Sequence, residues 1–437
     1  MFNETESNRI VMIDDNKDDL DLLSQVFIDN GIGCKTFQYD AFYNQPLKGI
    51  RFLFLDINLN GAPSDQDRNS VVRDALVHYL HADNGPFVLI FWTNNIEWID
   101  NFKEFINRSI DDEIKNRNPF FLTYIDKNDF YDRADDLKDK VKSIFANPIV
   151  SALFDFEEIM SASIHKAMSQ IIDIIPKGNL WGDNETFNQN AQKVFSSIAI
   201  QTLGYKNAKD NPDTAIKEAM TPMFNHVFLN DSGILWKNAL QNLQDSKRQN
   251  DISFPDNFNV AKLNHIFHIN SYNNIARESR GAICPVSLNT EDNGEFFQKF
   301  GYNYSDWFTF SFPNISPEEK ESSQLICVEF SAACDHSQQK KRTNKYLLGA
   351  ILPISAFDKL YNNKKKGDFI LLLPNKFEIN QEEKAIAFNL NFSFTVDVSL
   401  KEQTLGMPIF CLKKEMMDMI GNKYANHMSR IGITSFE

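Results

Sequence analysis

The sequence predicts an α/β domain with a parallel sheet, then a helical region, then a C-terminal α+β domain with a mainly antiparallel sheet. Short apolar runs closed by polar residues recur through the first third of the chain. Apolar residues then repeat at helical spacing, and strand-like runs return after about residue 251. Because 437 residues are too many for one ordinary domain, we expect separate domains at 1–145, 146–250 and 251–437.

Four apolar runs near the N-terminus predict strands of the parallel sheet. The first ends at Asp14 and Asp15, the second at Asp56, the third at Thr93 and the fourth at Lys127. The carboxyl ends of parallel strands lie at one edge of a sheet, so the three carboxylates would meet there. Packed carboxylates repel one another, and oxygen ligands suit Mg²⁺. These residues therefore predict a Mg²⁺ site, although acids in these positions could also be simple helix N-caps.

The order of these residues, an acidic pair, an acid, a hydroxyl residue and a lysine, resembles the receiver domain of two-component response regulators. The resemblance covers roughly residues 8–145 and implies a doubly wound sheet of strand order 2-1-3-4-5. It also implies that Asp56 accepts a phosphoryl group from a partner histidine kinase or phosphotransfer protein, with Mg²⁺ as cofactor. We therefore expect a phosphorelay protein.

The resemblance assigns further roles around Asp56. The backbone carbonyl of Asn58 would help Asp14, Asp15 and Asp56 to bind Mg²⁺. Thr93 would hydrogen-bond a phosphoryl oxygen, and Lys127 would pair with the phosphoryl charge. Tyr124 matches the aromatic residue that changes rotamer when receivers switch.

The sequence departs from the receiver pattern at two positions. Asn128 follows Lys127 where receivers usually have a proline, and Asn94 follows Thr93 where they usually have a small residue. The intervals on either side of Thr93 are also longer, with extra polar residues in 62–70 and 107–118. These changes predict an atypical receiver, and leave open a pseudo-receiver that acts only as an interaction module.

The middle of the chain has the periodicity of amphipathic helices. One apolar stripe consists of Phe187, Ala191, Val194, Phe195, Ile198 and Leu203. A second helix is predicted after Pro212, with Asp213 as its N-cap. These helices could form a homodimer, couple a signal, or cover the final domain.

The C-terminal part predicts strands at 325–330, 346–353, 368–374 and 386–398, followed by a helix at 413–429. Cys334, Asp335 and His336 follow the first of these strands. They could form a nucleophile and base in an effector enzyme, or ligands of a metal. Adjacent residues on a strand point to opposite faces, however, which favours a turn with a buried cysteine and a capping aspartate.

Composition limits the function classes. The net charge of −14 disfavours broad attraction to nucleic acid or anionic lipid. The five cysteines are scattered, without the spacing of a zinc ribbon or disulfide framework. No apolar stretch approaches the roughly 20 residues of a membrane span, and the N-terminus lacks a signal-peptide pattern.

We therefore expect a cytoplasmic signalling protein that regulates its own C-terminal part or a protein partner. The resemblance to unusual receivers suggests bacterial stress or phage-defence signalling as its setting.

Overall fold

The computed structural model describes residues 9–61, 64–108, 112–131, 134–177, 182–230, 235–248, 252–271, 275–331, 343–363, 367–396 and 401–429. The chain divides into two compact units. The first comprises Met1–Ile164 and Asn230–Ser246, and the second comprises His165–Leu229 and Lys247–Glu437. None of the described helices is long and apolar enough to cross a membrane. The three-domain division drawn from the sequence stays a prediction.

The first unit contains a parallel sheet whose strands alternate with helices along the chain. The strands are β1 (Ile10–Asp14), β2 (Lys35–Gln38), β3 (Phe52–Leu55), β4 (Val88–Thr93) and β5 (Phe121–Asp126). The helices are α1 (Lys17–Ile28), α2 (Asp65–Tyr79), α3 (Trp98–Arg108), α4 (Asp112–Lys115) and α5 (Ala134–Phe145). The long helix α6 (Pro148–Ile174) comes next in the chain.

The strand order is β2-β1-β3-β4-β5 with all neighbours parallel, which confirms the predicted doubly wound topology. β1, β3 and β4 are buried along their whole length, as expected where helices cover both faces of a sheet. Successive side chains enter different cores: Val11 and Ile13 lie in one, and Met12 lies in the other with Phe54.

The predicted helical region forms α7 (Asn184–Leu203), α8 (Tyr205–Asp210) and α9 (Pro212–Leu229). Phe187 and Phe195 of the predicted stripe pack around a small buried cluster that includes Met220. The prediction of Asp213 as N-cap was wrong, because α9 begins at Pro212 itself, where the fixed φ of proline suits the first turn. The short helices α10 (Leu235–Ala239) and α11 (Gln241–Asp245) follow.

The C-terminal part contains an antiparallel sheet, as predicted. Its strands are β6 (Ile269–Asn270), β7 (Ala282–Pro285), β8 (Gln324–Glu329), β9 (Asn344–Pro353), β10 (Ile370–Leu372), β11 (Phe377–Ile379), β12 (Glu382–Val396) and β13 (Phe410–Leu412). Their order is β10-β12-β9-β8-β7-β13-β6, with β11 paired to β12. Its helices are α12 (Val260–His268), α13 (Glu295–Phe300), α14 (Tyr304–Ser311), α15 (Pro317–Glu321), α16 (Ser355–Tyr361), α17 (Lys401–Thr404) and α18 (Lys414–Met428).

Helices cover both faces of this sheet. Ala385 and Ala387 of β12 lie in a core that includes Trp307 of α14, while Ile386 lies in the opposite core with Ile420 of α18. The register of β12 against β9 shifts between Phe388 and Ser393, which marks a β-bulge or similar irregularity. The four predicted strands correspond to β8, β9, β10 and β12, and the predicted last helix corresponds to α18.

Candidate functional site

Two buried aspartates lie at the carboxyl edge of the parallel sheet. β1 ends at Asp14, and Asp56 directly follows the last residue of β3. These strands are adjacent, with Ile13 paired to Leu55, so the two carboxylates come from neighbouring positions. Asp14 is 0% exposed and Asp56 is 6% exposed. Burying an ionised carboxylate costs free energy unless cations or hydrogen-bond donors compensate for its negative charge.

Lys127 supplies a cation to both carboxylates. It directly follows β5, is 1% exposed, and donates from Nζ to Asp14 Oδ2 at 2.6 Å and to Asp56 Oδ2 at 2.9 Å. A third hydrogen bond, of 2.9 Å, runs from Nζ to Asp19 Oδ2. Burial disfavours the charged ammonium, but the charges of Asp56 and Asp14 outweigh this penalty and raise the pKa of Lys127. The ammonium therefore stays protonated, with one carboxylate for each of its N–H bonds.

Asp19 lies in this site although the sequence did not lead us to expect it there. It belongs to the first turn of α1, and its 4% exposure resembles that of Leu23 and Phe27, at 0% and 2%. These three residues follow one another at intervals of four, which places them on one face of the helix. A carboxylate in a row of core positions was the sequence signal that could have revealed Asp19.

The acids at the sheet edge form a group that could hold a metal ion. One carboxylate oxygen from each of Asp14, Asp15 and Asp56 lies within 4.8 Å of the others. Asp15 Oδ2 also accepts a hydrogen bond of 2.9 Å from the backbone N–H of Asn60. Carboxylate oxygens are the donors that hard divalent cations prefer, so the chemistry of this set fits Mg²⁺.

The uncompensated negative charge of the pocket also favours a bound divalent cation. Burial raises the pKa of Asp14 to about 7, with a further contribution from the charge of Asp56, although Lys127 opposes the shift. One ammonium therefore leaves the acidic charge of the pocket only partly compensated, and a divalent cation would favour ionisation of Asp14. The backbone N–H of Asn58 donates to Asp56 Oδ1 at 3.2 Å, and the metal-binding role of its carbonyl stays a prediction.

The predicted hydroxyl and aromatic residues lie on β4 and β5. Thr93 ends β4 at the same sheet edge, is 0% exposed, and accepts a hydrogen bond of 3.2 Å at Oγ1 from the backbone N–H of Asn95. Tyr124 lies on β5 and is 45% exposed. Their phosphoryl-binding and switching roles stay predictions.

The side chain of Asn94 contacts a residue beyond β5. Asn94 Nδ2 donates to the Tyr131 hydroxyl at 3.0 Å. Burial raises the pKa of this phenol, and the negative charge of Asp19 contributes to the shift. Asn94 and Tyr131 thus form a hydrogen-bonded pair.

A hydrogen bond holds the turn after β5 where receivers usually have a proline. Asp126 caps the short 3₁₀ turn Lys127–Asp129 by accepting from the backbone N–H of Asn128 at 2.9 Å. Proline lacks this N–H and could not make the contact. The local sequence therefore fixes the Lys127 backbone by a different means.

The proposed C-terminal residues Cys334, Asp335 and His336 lie outside the described residues, so their enzyme or metal role stays a prediction. Three other cysteines of this part are described, and all are buried free thiols: Cys284, Cys327 and Cys411. Burial raises the pKa of Cys284 to about 12 and that of Cys411 to about 11, which keeps both thiols protonated at neutral pH.

No protein-family model matches the chain, and no curated protein matches it. Among solved structures, the chain is similar in part to the crystal structure of NtrX from Brucella abortus in complex with ADP. The identity is 18% and the TM-score is 0.19, and the match covers 44% of this chain and 34% of that one. The match thus spans about a third of that NtrX chain. A likeness of this degree carries no weight for fold or function.

Proposed function

We propose that the protein is a phosphorelay signalling protein whose N-terminal domain accepts a phosphoryl group on Asp56 from the phosphohistidine of a partner kinase or phosphotransfer protein. The observation that carries this proposal is the contact of Lys127 Nζ with Asp14 and Asp56, at 2.6 and 2.9 Å, beside the strand ends of a parallel 2-1-3-4-5 sheet. Transfer to a carboxylate needs fixed cations, because charge on the phosphoryl oxygens must be neutralised.

In the proposed reaction, an Asp56 carboxylate oxygen bonds to phosphorus as the phosphorus–nitrogen bond of the donor breaks. The electron pair of that bond stays on the imidazole nitrogen, so the donor leaves as histidine. Mg²⁺ held by Asp14, Asp15 and Asp56 would supply positive charge to the phosphoryl oxygens. Lys127 would donate to one of these oxygens, and the Thr93 hydroxyl would donate to another.

The proposed output begins with Thr93 and Tyr124. Thr93 would move towards the new phosphoryl group, and Tyr124 would change rotamer and alter the surface of the domain. The altered surface would then change how the protein engages its own C-terminal part or a separate protein partner.

Intact-mass measurement tests the proposal directly. The full chain would be incubated with Mg²⁺ and with either acetyl phosphate or phosphoramidate, whose phosphorus–nitrogen bond resembles that of phosphohistidine. We expect the wild type to gain one phosphoryl group and Asp56→Asn to gain none. Asp18→Asn is the matched control, because Asp18 is an exposed acid near the pocket that makes no contact with Lys127 in the described structure.

Chelation of Mg²⁺ should abolish the reaction of the wild type. A wild-type chain that stays unmodified by both donors would refute the phosphorelay proposal and leave the N-terminal domain as an interaction module. Equal labelling of Asp56→Asn and wild type would instead show that Asp56 is not the acceptor.

A further inference from the structure

We propose that Asp19 is a positioning residue that holds Lys127 away from the incoming phosphoryl group and thereby slows the phosphorylation of Asp56. This inference rests on the proposed function of the same pocket. It starts from one contact, the hydrogen bond of 2.9 Å between Lys127 Nζ and Asp19 Oδ2. Both side chains are buried, so this ion pair is poorly screened by water.

Asp19 lies outside the group of acids that could hold the metal. That group contains Asp14, Asp15 and Asp56, all at or just after strand ends, whereas Asp19 extends from α1. Its charge therefore acts on the pocket mainly through Lys127. Asp19 is a positioning residue because it would act on the reacting atoms through another side chain.

The packing of α1 restricts the Asp19 carboxylate. Asp19 is 4% exposed and lies on the buried face of the helix, in line with Leu23 and Phe27. This packing opposes any movement of Asp19 that would follow Lys127 towards a phosphoryl group on Asp56. If the ammonium shifts, its hydrogen bond with Asp19 must lengthen or break.

Phosphorylation requires such a shift. The three N–H bonds of the Lys127 ammonium already go to Asp14, Asp19 and Asp56, so a phosphoryl oxygen must displace one of these acceptors. The phosphoryl group also brings negative charge, which a buried Asp19 carboxylate repels. Removing the charge of Asp19 should make its hydrogen bond with Lys127 easier to displace and should remove its repulsion of the phosphoryl group. The Asp56 carboxylate, which accepts the phosphoryl group, stays intact.

The test compares Asp19→Asn with Asp18→Asn. Both substitutions remove one acidic charge from the first turn of α1, but Asp18 is exposed while Asp19 contacts Lys127. The rate of phosphorylation by phosphoramidate is measured at saturating Mg²⁺, and Mn²⁺ affinity is measured by calorimetry on the unphosphorylated chain.

We expect Asp19→Asn to react about tenfold faster than wild type, the rate equivalent of losing one charge-assisted hydrogen bond. Its Mn²⁺ affinity should fall about threefold, because a nearby negative charge is lost and Lys127 can pair more fully with the metal ligands. Asp18→Asn should match the wild type in both measurements. A merely structural defect would lower rate and affinity together.

Two outcomes separate this inference from the proposed function. If wild type is phosphorylated but Asp19→Asn matches Asp18→Asn in rate and affinity, the role of Asp19 is refuted and the phosphorelay stands. If wild type takes no phosphoryl group, the phosphorelay proposal fails and the slowing role of Asp19 fails with it. The Mn²⁺ affinities then show independently whether Asp19 sets the charge of the pocket, and equal affinities would refute that role too.

Discussion

Cation binding at the sheet edge should depend steeply on pH near neutrality. Asp14 must lose its proton to act as a metal ligand, and burial raises its pKa to about 7. With that pKa, about nine-tenths of Asp14 is ionised at pH 8 and about one-tenth at pH 6. Because protons compete with the metal below the pKa, the apparent Mg²⁺ affinity should fall about tenfold from pH 8 to pH 6.

Isothermal titration calorimetry measures this dependence. Titrations of Mg²⁺ at pH 6, 7 and 8, in two buffers with different ionisation enthalpies, give the affinity and the number of protons released. Nearly one proton should be released per ion at pH 6, and almost none at pH 8. Asp56→Asn should move the midpoint to lower pH, because the charge of Asp56 raises the pKa of Asp14. Equal affinities at pH 6 and pH 8, without proton release, would refute the reasoning.

Two further predictions concern stability. Lys127→Met leaves buried carboxylates without their ammonium and should destabilise the first compact unit by about 3–5 kcal/mol in urea unfolding, with partial recovery when Mg²⁺ is added. Unchanged unfolding would contradict the pairing. Gly349→Ala would put Cβ 2.3 Å from the Ala387 carbonyl oxygen, so β9 should lose about 1–3 kcal/mol of protection in hydrogen exchange. Gly421→Ala, in open space on α18, is the control and should match or exceed wild-type stability; equal protection in both variants would refute the clash.

The strands of the N-terminal sheet differ in how readily their sequences reveal them. β1, β3 and β4 are continuous apolar runs because helices cover both faces of the sheet. β2, at the edge, has the sequence Lys-Thr-Phe-Gln and is mostly exposed, so no apolar run marks it. Its position is determined by its parallel pairing with β1.

In the C-terminal sheet, the length of a strand decides whether the sequence can predict it. β9 and β12 are long enough to show apolar runs or alternation, and both were predicted. β6, β11 and β13 have only two or three residues each, and their pairing with neighbouring strands defines them. Strands this short carry too few residues for a periodic signal.

In the candidate site, the residues at strand ends were predicted from the sequence, but Asp19 of helix α1 was not. Asp14, Asp56 and Lys127 end apolar runs, and parallel topology brings them to one edge of the sheet. Asp19 follows the N-cap of α1 closely, where acidic residues commonly favour the helix dipole. The spacing of four residues from Asp19 to Leu23 and Phe27 is the sequence signal that separates it from Asp18, and the burial of Asp19 and its bond to Lys127 show the difference in the structure.

The rate at which a reagent alkylates the buried cysteines of the C-terminal sheet should report how often this sheet opens. Cys284 of β7 lies opposite Cys327 of β8 in the antiparallel strand register, and both are free thiols that are 0% exposed. Alkylating reagents attack the thiolate, and burial raises the pKa of both thiols well above the usual range for cysteine. A reagent should therefore reach these thiols mainly when the strands separate, whereas the partly exposed Cys34 should react sooner. The rate of labelling at Cys284 would thus report how often β7 separates from β8, and no cysteine would have to be introduced by mutation.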